Sequence, residues 1–274
     1  MKNWKIIVTA ALLSACGSSN DNNPTTSQLT FKGNGNLANG AVFNGPHAGD
    51  TVRAALLDGT TVLDIQKAVI AASGTDPAFS FTFSPAIDTS KPYTVNYWID
   101  SNFATTDPVG GGKCGAPTDD HQWSVPIPAG QTTFTDVHRP ASTTNVCSTF
   151  TFALTFVADS SYVGPHSGQP YKLALVHGSD TTAEEILTGN VGTTVGANAI
   201  SAQFSELLVI DETYTVKLWI DSNFGGGTVG TCDPKANDHQ WSFTIPSSFA
   251  SHPTTFTAPT HSGATTVDVC SFFP

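Results

Sequence analysis

The sequence predicts an all-β protein built as two tandem antiparallel β-sandwich domains, each closed by one disulfide. Three observations carry this prediction. First, a long stretch occurs twice. Tyr93-Thr-Val-Asn-Tyr-Trp-Ile-Asp-Ser-Asn-Phe103 matches Tyr214-Thr-Val-Lys-Leu-Trp-Ile-Asp-Ser-Asn-Phe224, and Asp120-His-Gln-Trp-Ser-Val-Pro-Ile-Pro128 matches Asp238-His-Gln-Trp-Ser-Phe-Thr-Ile-Pro246. Nine of the first eleven residues and seven of the last nine are identical, which marks an internal duplication. Second, apolar residues alternate with polar ones: Phe79, Phe81 and Phe83 with Ser80 and Thr82, and Phe150, Phe152, Leu154 and Phe156 with Thr151 and Thr155. That period of two belongs to half-buried strands, and no sustained helical period competes with it. Third, four cysteines fall two per repeat, Cys114 and Cys147, then Cys232 and Cys270.

In chain order, Met1–Lys5 is basic and Ile6–Ala15 is apolar or small, a run too short to span a bilayer. It ends Leu13-Ser-Ala-Cys16-Gly17, which resembles the lipobox of bacterial lipoproteins. The resemblance implies cleavage before Cys16, a diacylglyceryl anchor on its thiol, and, through Gly17, placement in the outer membrane of the cell envelope. Acyl chains contribute about 0.8 kcal/mol per buried methylene. Losing residues 1–15 removes Lys2 and Lys5 from 11 basic residues and leaves 9 against 22 acids, a net charge near −13. Such a chain is a poor partner for nucleic acid or anionic lipid. Residues 16–28 read as a polar, disordered tether.

Residues 29–148 form the first repeat and 149–274 the second, each an immunoglobulin-like sandwich of short strands broken by Gly, Pro, Asn and Ser. Strands are expected near Leu29–Lys32, Val52–Leu57, Val62–Ala71, Phe79–Phe83, Tyr93–Ile99, Gln122–Ile127, Thr132–Thr135 and Asn145–Ser148, with counterparts up to Val267–Phe272. No linker separates the repeats, so a long strand or tight corner is expected at Val146–Val157. Export through an oxidising compartment favours disulfides, and the repeat symmetry favours Cys114–Cys147 and Cys232–Cys270 over the other pairings.

The histidines are paired as well. His47 and His166 stand in Gly-Pro-His-x-Gly, His121 matches His239, and His138 matches His261, each of the latter nine residues before a cysteine. Asp100 pairs with Asp221. Imidazole with carboxylate suits Zn²⁺ or Cu²⁺. The expected ligands are therefore His47, His121, His138 and Asp100 in one repeat, and His166, His239, His261 and Asp221 in the other, with Trp123 shielding the first site. Three readings stand beside this one. The polar residues could simply cap strand ends. Asp100-Ser-Asn102 and its copy resemble the Asp-x-Asn loops of calcium-bound bacterial surface sandwiches, although no bidentate Glu follows. Trp98 and Trp219, alternating away from Tyr97 and Ile99, could stack on a sugar ring.

No nucleophile elbow, zincin motif or phosphate-cradling Gly motif occurs, so neither an enzyme nor a nucleotide or organic cofactor is expected. Taken together, the motifs resemble repeats of bacterial secreted proteins and lipoproteins that carry no assigned activity. The leading expectation is a lipid-anchored binding protein with a copper or zinc site per repeat. The alternative is a surface adhesion or carbohydrate-binding protein whose loops are purely structural or calcium-stabilised.

Overall fold

A computed structural model describes residues 26–36, 41–101, 112–139, 144–262 and 267–274. The lipobox and Cys16 lie outside the described residues, as does the tether up to residue 25. Its last part, Thr26–Gln28, is not tether, because it pairs with Asp88–Ala86 as the start of a strand.

The first repeat contains β1 (Thr26–Gly33), β2 (Thr51–Asp58), β3 (Thr61–Val69), β4 (Phe79–Asp88), β5 (Tyr93–Ile99), β6 (His121–Ile127) and β7 (Thr133–Asp136). They form two sheets, ordered β4-β1-β7 and β3-β2-β5-β6. The second repeat contains β8 (Thr151–Ala158), β9 (Pro170–His177), β10 (Glu185–Asn190), β11 (Ile200–Val209), β12 (Tyr214–Ile220), β13 (His239–Ile245) and β14 (Thr255–Thr257). Its sheets, β11-β8-β14 and β10-β9-β12-β13, repeat the same order. Neighbours are antiparallel except β1–β7 and β8–β14, which run parallel. The fold is thus all-β, with the two disulfides Cys114–Cys147 and Cys232–Cys270. Each closes a loop of 33 or 38 residues, which in the chain-entropy account contributes about 3–4 kcal/mol.

Two expected strands are absent. Cys147–Thr149 and Cys270–Phe272 are short 3₁₀ turns instead. The disulfide holds each beside the loop before β6 or β13, outside the sheets formed by the described residues. The turn at Cys147 is the tight corner that leads directly into β8.

Alternation sets two faces on the sheet β3-β2-β5-β6. Val52, Ala54 and Leu56 of β2 join Tyr93, Val95, Tyr97 and Ile99 of β5 in the first repeat's core. Ala55, Leu57 and Trp98 point the other way and pack into the second repeat's core with Phe150 and Val146. This sheet is therefore covered on both sides, which explains the unbroken buried run through β2. In the second repeat the matching outer face is covered by the chain's own end: Trp219 and Ala174 pack with Val269 and Phe273.

The expectation that Trp98 and Trp219 are exposed for stacking on a sugar is overturned, because they are 0% and 2% exposed. The alternation assigned them correctly to the outer face, but that face is not solvent. Each indole N–H donates at 2.8 Å to a buried carboxylate, Asp120 or Asp238. Burying about 200 Å² of indole is worth about 5 kcal/mol, more than a stacked sugar would return.

Candidate functional site

The duplicated Asp-His-Gln-Trp motif divides its work by face. Asp120 and Gln122 turn away from the first repeat's core and fix the loops. Asp120 accepts from Trp98 Nε1, Gly115 N and Ser101 N. Gln122 donates to Gly115 O and accepts from Val146 N. Asp238 and Gln240 do the same in the second repeat, with Trp219, Ser222 and Asn223 on the acid and with Asp233 O and Val269 N on the amide. His121 and Trp123, two residues apart, share the opposite face with rings 5.2 Å apart. Ser101 Oγ accepts from His121 N, and Ser222 Oγ accepts from His239 N, so the first residue of β6 and of β13 is held at the rim.

The other two histidines come from loops at the same rim. His47 sits in the turn after β1, where His47 N donates to Phe43 O and Asp50 N donates to His47 O. Gly49 takes φ +96° and its counterpart Gly168 +75°, left-handed values that glycine adopts without strain. That requirement explains the shared Gly-Pro-His-x-Gly. His166 ends the one-turn helix α1 (Val163–His166), and Gln169 N donates to its carbonyl. His138 follows β7 and is tied by its N–H to Asn34 Oδ1, whereas His261 follows β14 and is tied to Ser161 Oγ.

Three imidazoles thus meet in each repeat: His47, His121 and His138, then His166, His239 and His261. Within each set one nitrogen per ring lies within 4.8 Å of the others. His47 Nε2 is 2.8 Å from His121 Nδ1, and His166 Nε2 is 2.9 Å from both His239 Nδ1 and His261 Nε2. Tetrahedral zinc at about 2.0–2.1 Å from nitrogen separates its ligands by about 3.3–3.4 Å, between the closest contacts here and the 4.8 Å bound of each triad, so small shifts of the rings would admit it.

The remaining ring nitrogens decide the tautomers. Asp50 Oδ2 lies 3.0 Å from His47 Nδ1, and a carboxylate can only accept, so Nδ1 carries the proton and Nε2 presents its lone pair inward. Gln169 Oε1, 2.6 Å from His166 Nδ1, imposes the same tautomer. Burial, helped by His138, lowers His47 to about 4. Burial and the two neighbouring imidazoles lower His121 to about 4. Burial lowers His138 and His261. For His166, burial outweighs the opposing Gln169 hydrogen bond and brings it to about 4. These rings are neutral at pH 7, the state in which imidazole ligates metal.

A cluster of lone pairs turned on one another in an apolar surrounding is unfavourable unless a proton or cation sits among them. His138 Nε2 is buried without a hydrogen-bond partner among the described residues. So are the indole N–H groups of Trp123 and Trp241, whose rings lie against the triads. Buried polar atoms are rarely left so, and the two indoles recur at equivalent positions.

Asp100 and Asp221, the expected oxygen ligands, are not gathered with the triads. Asp221 instead holds its own loop, accepting from Gly230 N at 2.6 Å and from Asn223 Nδ2. Asn102 lies outside the described residues. Asp50 and Gln169 do not stand out in the sequence, because they differ in type between the two copies. The signal was a polar side chain directly after the turn glycine in both copies. A third group, His177, Asp180 and Glu184, is also close enough to meet a cation. Lys113 lies 3.8 Å from Glu184, however, and Glu212 holds His177 toward its protonated form, so a metal would compete with charges already there.

No protein-family model matches the chain, and no curated protein matches it. Solved structures with some likeness include a candidate adhesin from Bacteroides ovatus (9% identity, 70% of this chain and 72% of that one, TM-score 0.24). A candidate cell adhesion protein from Parabacteroides distasonis shares 10% identity over 81% and 80%, with a TM-score of 0.22. A leucine-rich repeat protein from Bacteroides thetaiotaomicron shares 10% over 85% of this chain and 26% of that one, with a TM-score of 0.20. With TM-scores this low, these likenesses carry no argument about function.

Proposed function

We propose that the chain is a non-enzymatic metal-binding protein of the cell envelope, holding one transition-metal ion, copper or zinc, in each histidine triad. One observation carries the reading: three imidazoles converge in each repeat, with inward nitrogens as close as 2.8–2.9 Å, from two loops and the start of a strand. Strand caps need no such convergence. Nitrogen-only donors favour copper or zinc over calcium, which takes oxygen. Asp100 and Asp221 are left out of this ligand set. The two disulfides support an oxidising, extracytoplasmic setting, and among the described residues no helix is long and apolar enough to cross a membrane. Anchoring through lipid on Cys16 in the outer membrane completes the reading.

The test is metal analysis of the intact, chelator-stripped chain after incubation with Zn²⁺, Cu²⁺ or Ca²⁺. About two equivalents of zinc or copper per chain are expected, falling to about one in His121→Ala and in His239→Ala. Less than half an equivalent per triad for every ion defeats the reading. The second reading, a surface adhesion protein with structural triads, then takes over. Its test is binding to a glycan array or to host cells that survives both histidine substitutions.

A further inference from the structure

We propose, on the footing that the triads bind metal, that the two sites are unequal by design of the residue behind the first histidine. The first triad, backed by the Asp50 carboxylate, is the high-affinity site for a divalent cation. The second, backed by the Gln169 amide, is the weaker and more readily exchanged one.

The two backings are equivalent in place. Asp50 and Gln169 each follow their histidine by three residues, and each is brought beside the ring by a hydrogen bond from its own backbone N–H to the histidine carbonyl, 3.0 and 2.9 Å long. Each then meets Nδ1 of that histidine. They differ in charge. A carboxylate on the outer imidazole N–H makes the inner nitrogen a stronger donor and offsets part of the ion's charge, whereas a neutral amide only orients the ring. Asp120 lies close enough to Asp50 to act on it, but its counterpart Asp238 holds the same place in the second repeat, so this acid does not set the two sites apart. The second repeat has a further acid, Asp159, which acts on His261; its carboxylate is bound to Ser161 N and Oγ, whereas Asp50 bonds directly to the ring of a triad histidine. The rest of the two sites corresponds part by part: three imidazoles, a Trp against them, and a Ser holding the strand histidine.

The intact, disulfide-bonded chain is titrated with Zn²⁺ against a competing chelator. Two steps separated by about 10- to 100-fold in Kd are expected, since loss of such a partner commonly weakens affinity by that factor. His239→Ala should retain the tight step and His121→Ala the weak one. The near-isosteric changes Asp50→Asn and Gln169→Glu then act in opposite directions: the first merges the tight step with the weak one, and the second raises the weak step. Because the argument rests on charge, the gap should narrow with Ag⁺, whose single charge feels the carboxylate half as strongly. Equal affinities within about threefold, or two steps that persist in Asp50→Asn, overturn the proposal while leaving metal binding intact. Absence of zinc from both sites overturns the metal reading itself.

Discussion

The first repeat ends β2 with Asp58, which pairs with Lys91 on the way into β5, and both side chains are largely in solvent. The second repeat ends β9 with His177, which meets Glu212 at the same place before β12. The charges have changed sides. Glu212 has also been drawn into the contact between the repeats, where it receives Arg53 of β2 and Lys67 of β3. Arg53 is 2% exposed and lies 4.6 Å over the Trp98 ring, whereas its counterpart Lys172 lies 5.4 Å over Trp219 at the surface. The rims of the two repeats share their three imidazoles and differ in the Asp50 carboxylate and Gln169 amide behind them, whereas the flanks exchange the sign of whole side chains. A duplicated domain can recast an exposed ion pair as a junction without disturbing the site at the other end, because strands between them transmit position and not charge.

The largest effect that should separate the two pairs is the loss of the acid. Glu212→Ala leaves Arg53 buried and charged with Nε and Nη1 already lacking partners, and should cost about 3–5 kcal/mol in chemical denaturation. Lys91→Ala removes an exposed charge and should leave the midpoint unchanged within error. Equal losses would mean that the junction is no better packed than the surface.

A smaller difference is expected at the two indoles. Trp98→Phe and Trp219→Phe each take one donor from a buried carboxylate, at about 1–2 kcal/mol. Trp98→Phe also weakens the stacking of a desolvated guanidinium, so it should cost about 0.5–1 kcal/mol more than Trp219→Phe, read as the difference in unfolding free energy.

Much of this architecture could be read in the chain. Period-two alternation placed most strands to within a few residues, and the repeat symmetry selected the disulfide pairing. The histidines matched between the copies are the six that the fold gathers into triads, whereas the matched Asp100 and Asp221 are not among them. What alternation could not supply is the identity of whatever covers a face. It put Trp98 and Trp219 on the outer side of their sheets, but only the fold reveals that Phe150 and Phe273 lie over them. Nor does a sequence disclose pairs of unlike residues 159 positions apart, such as Arg53 with Glu212. The Cys147 and Cys270 turns look like strands by composition because short apolar runs do not distinguish a strand from a 3₁₀ turn pinned by a disulfide.

The finest comparison is in pH. Glu212 is held down at about 2: burial opposes its charge, but the neighbouring His177, Arg53 and Lys67 prevail. Its contribution is therefore present above about pH 4.5 and is lost as pH falls toward 2. His177 is raised, chiefly by the Glu212 carboxylate 3.5 Å from its Nε2 and against its own burial, with Glu184 and Asp180 adding to the rise. Its contribution is complete below about 6.5 and fades as pH climbs through the raised value. The junction should be strongest between these limits. In metal-stripped protein the triad histidines, lowered in the fold, pull the other way and weaken the whole molecule as pH falls below 6.5. The junction is therefore read by difference. The Tm of the parent should exceed that of His177→Asn at pH 6, and the gap should close by about pH 9. A gap that stays constant across this range would assign His177 a packing role without charge. The corresponding change in the first repeat, Asp58→Asn, should show no such closure, since that exposed pair contains no imidazole.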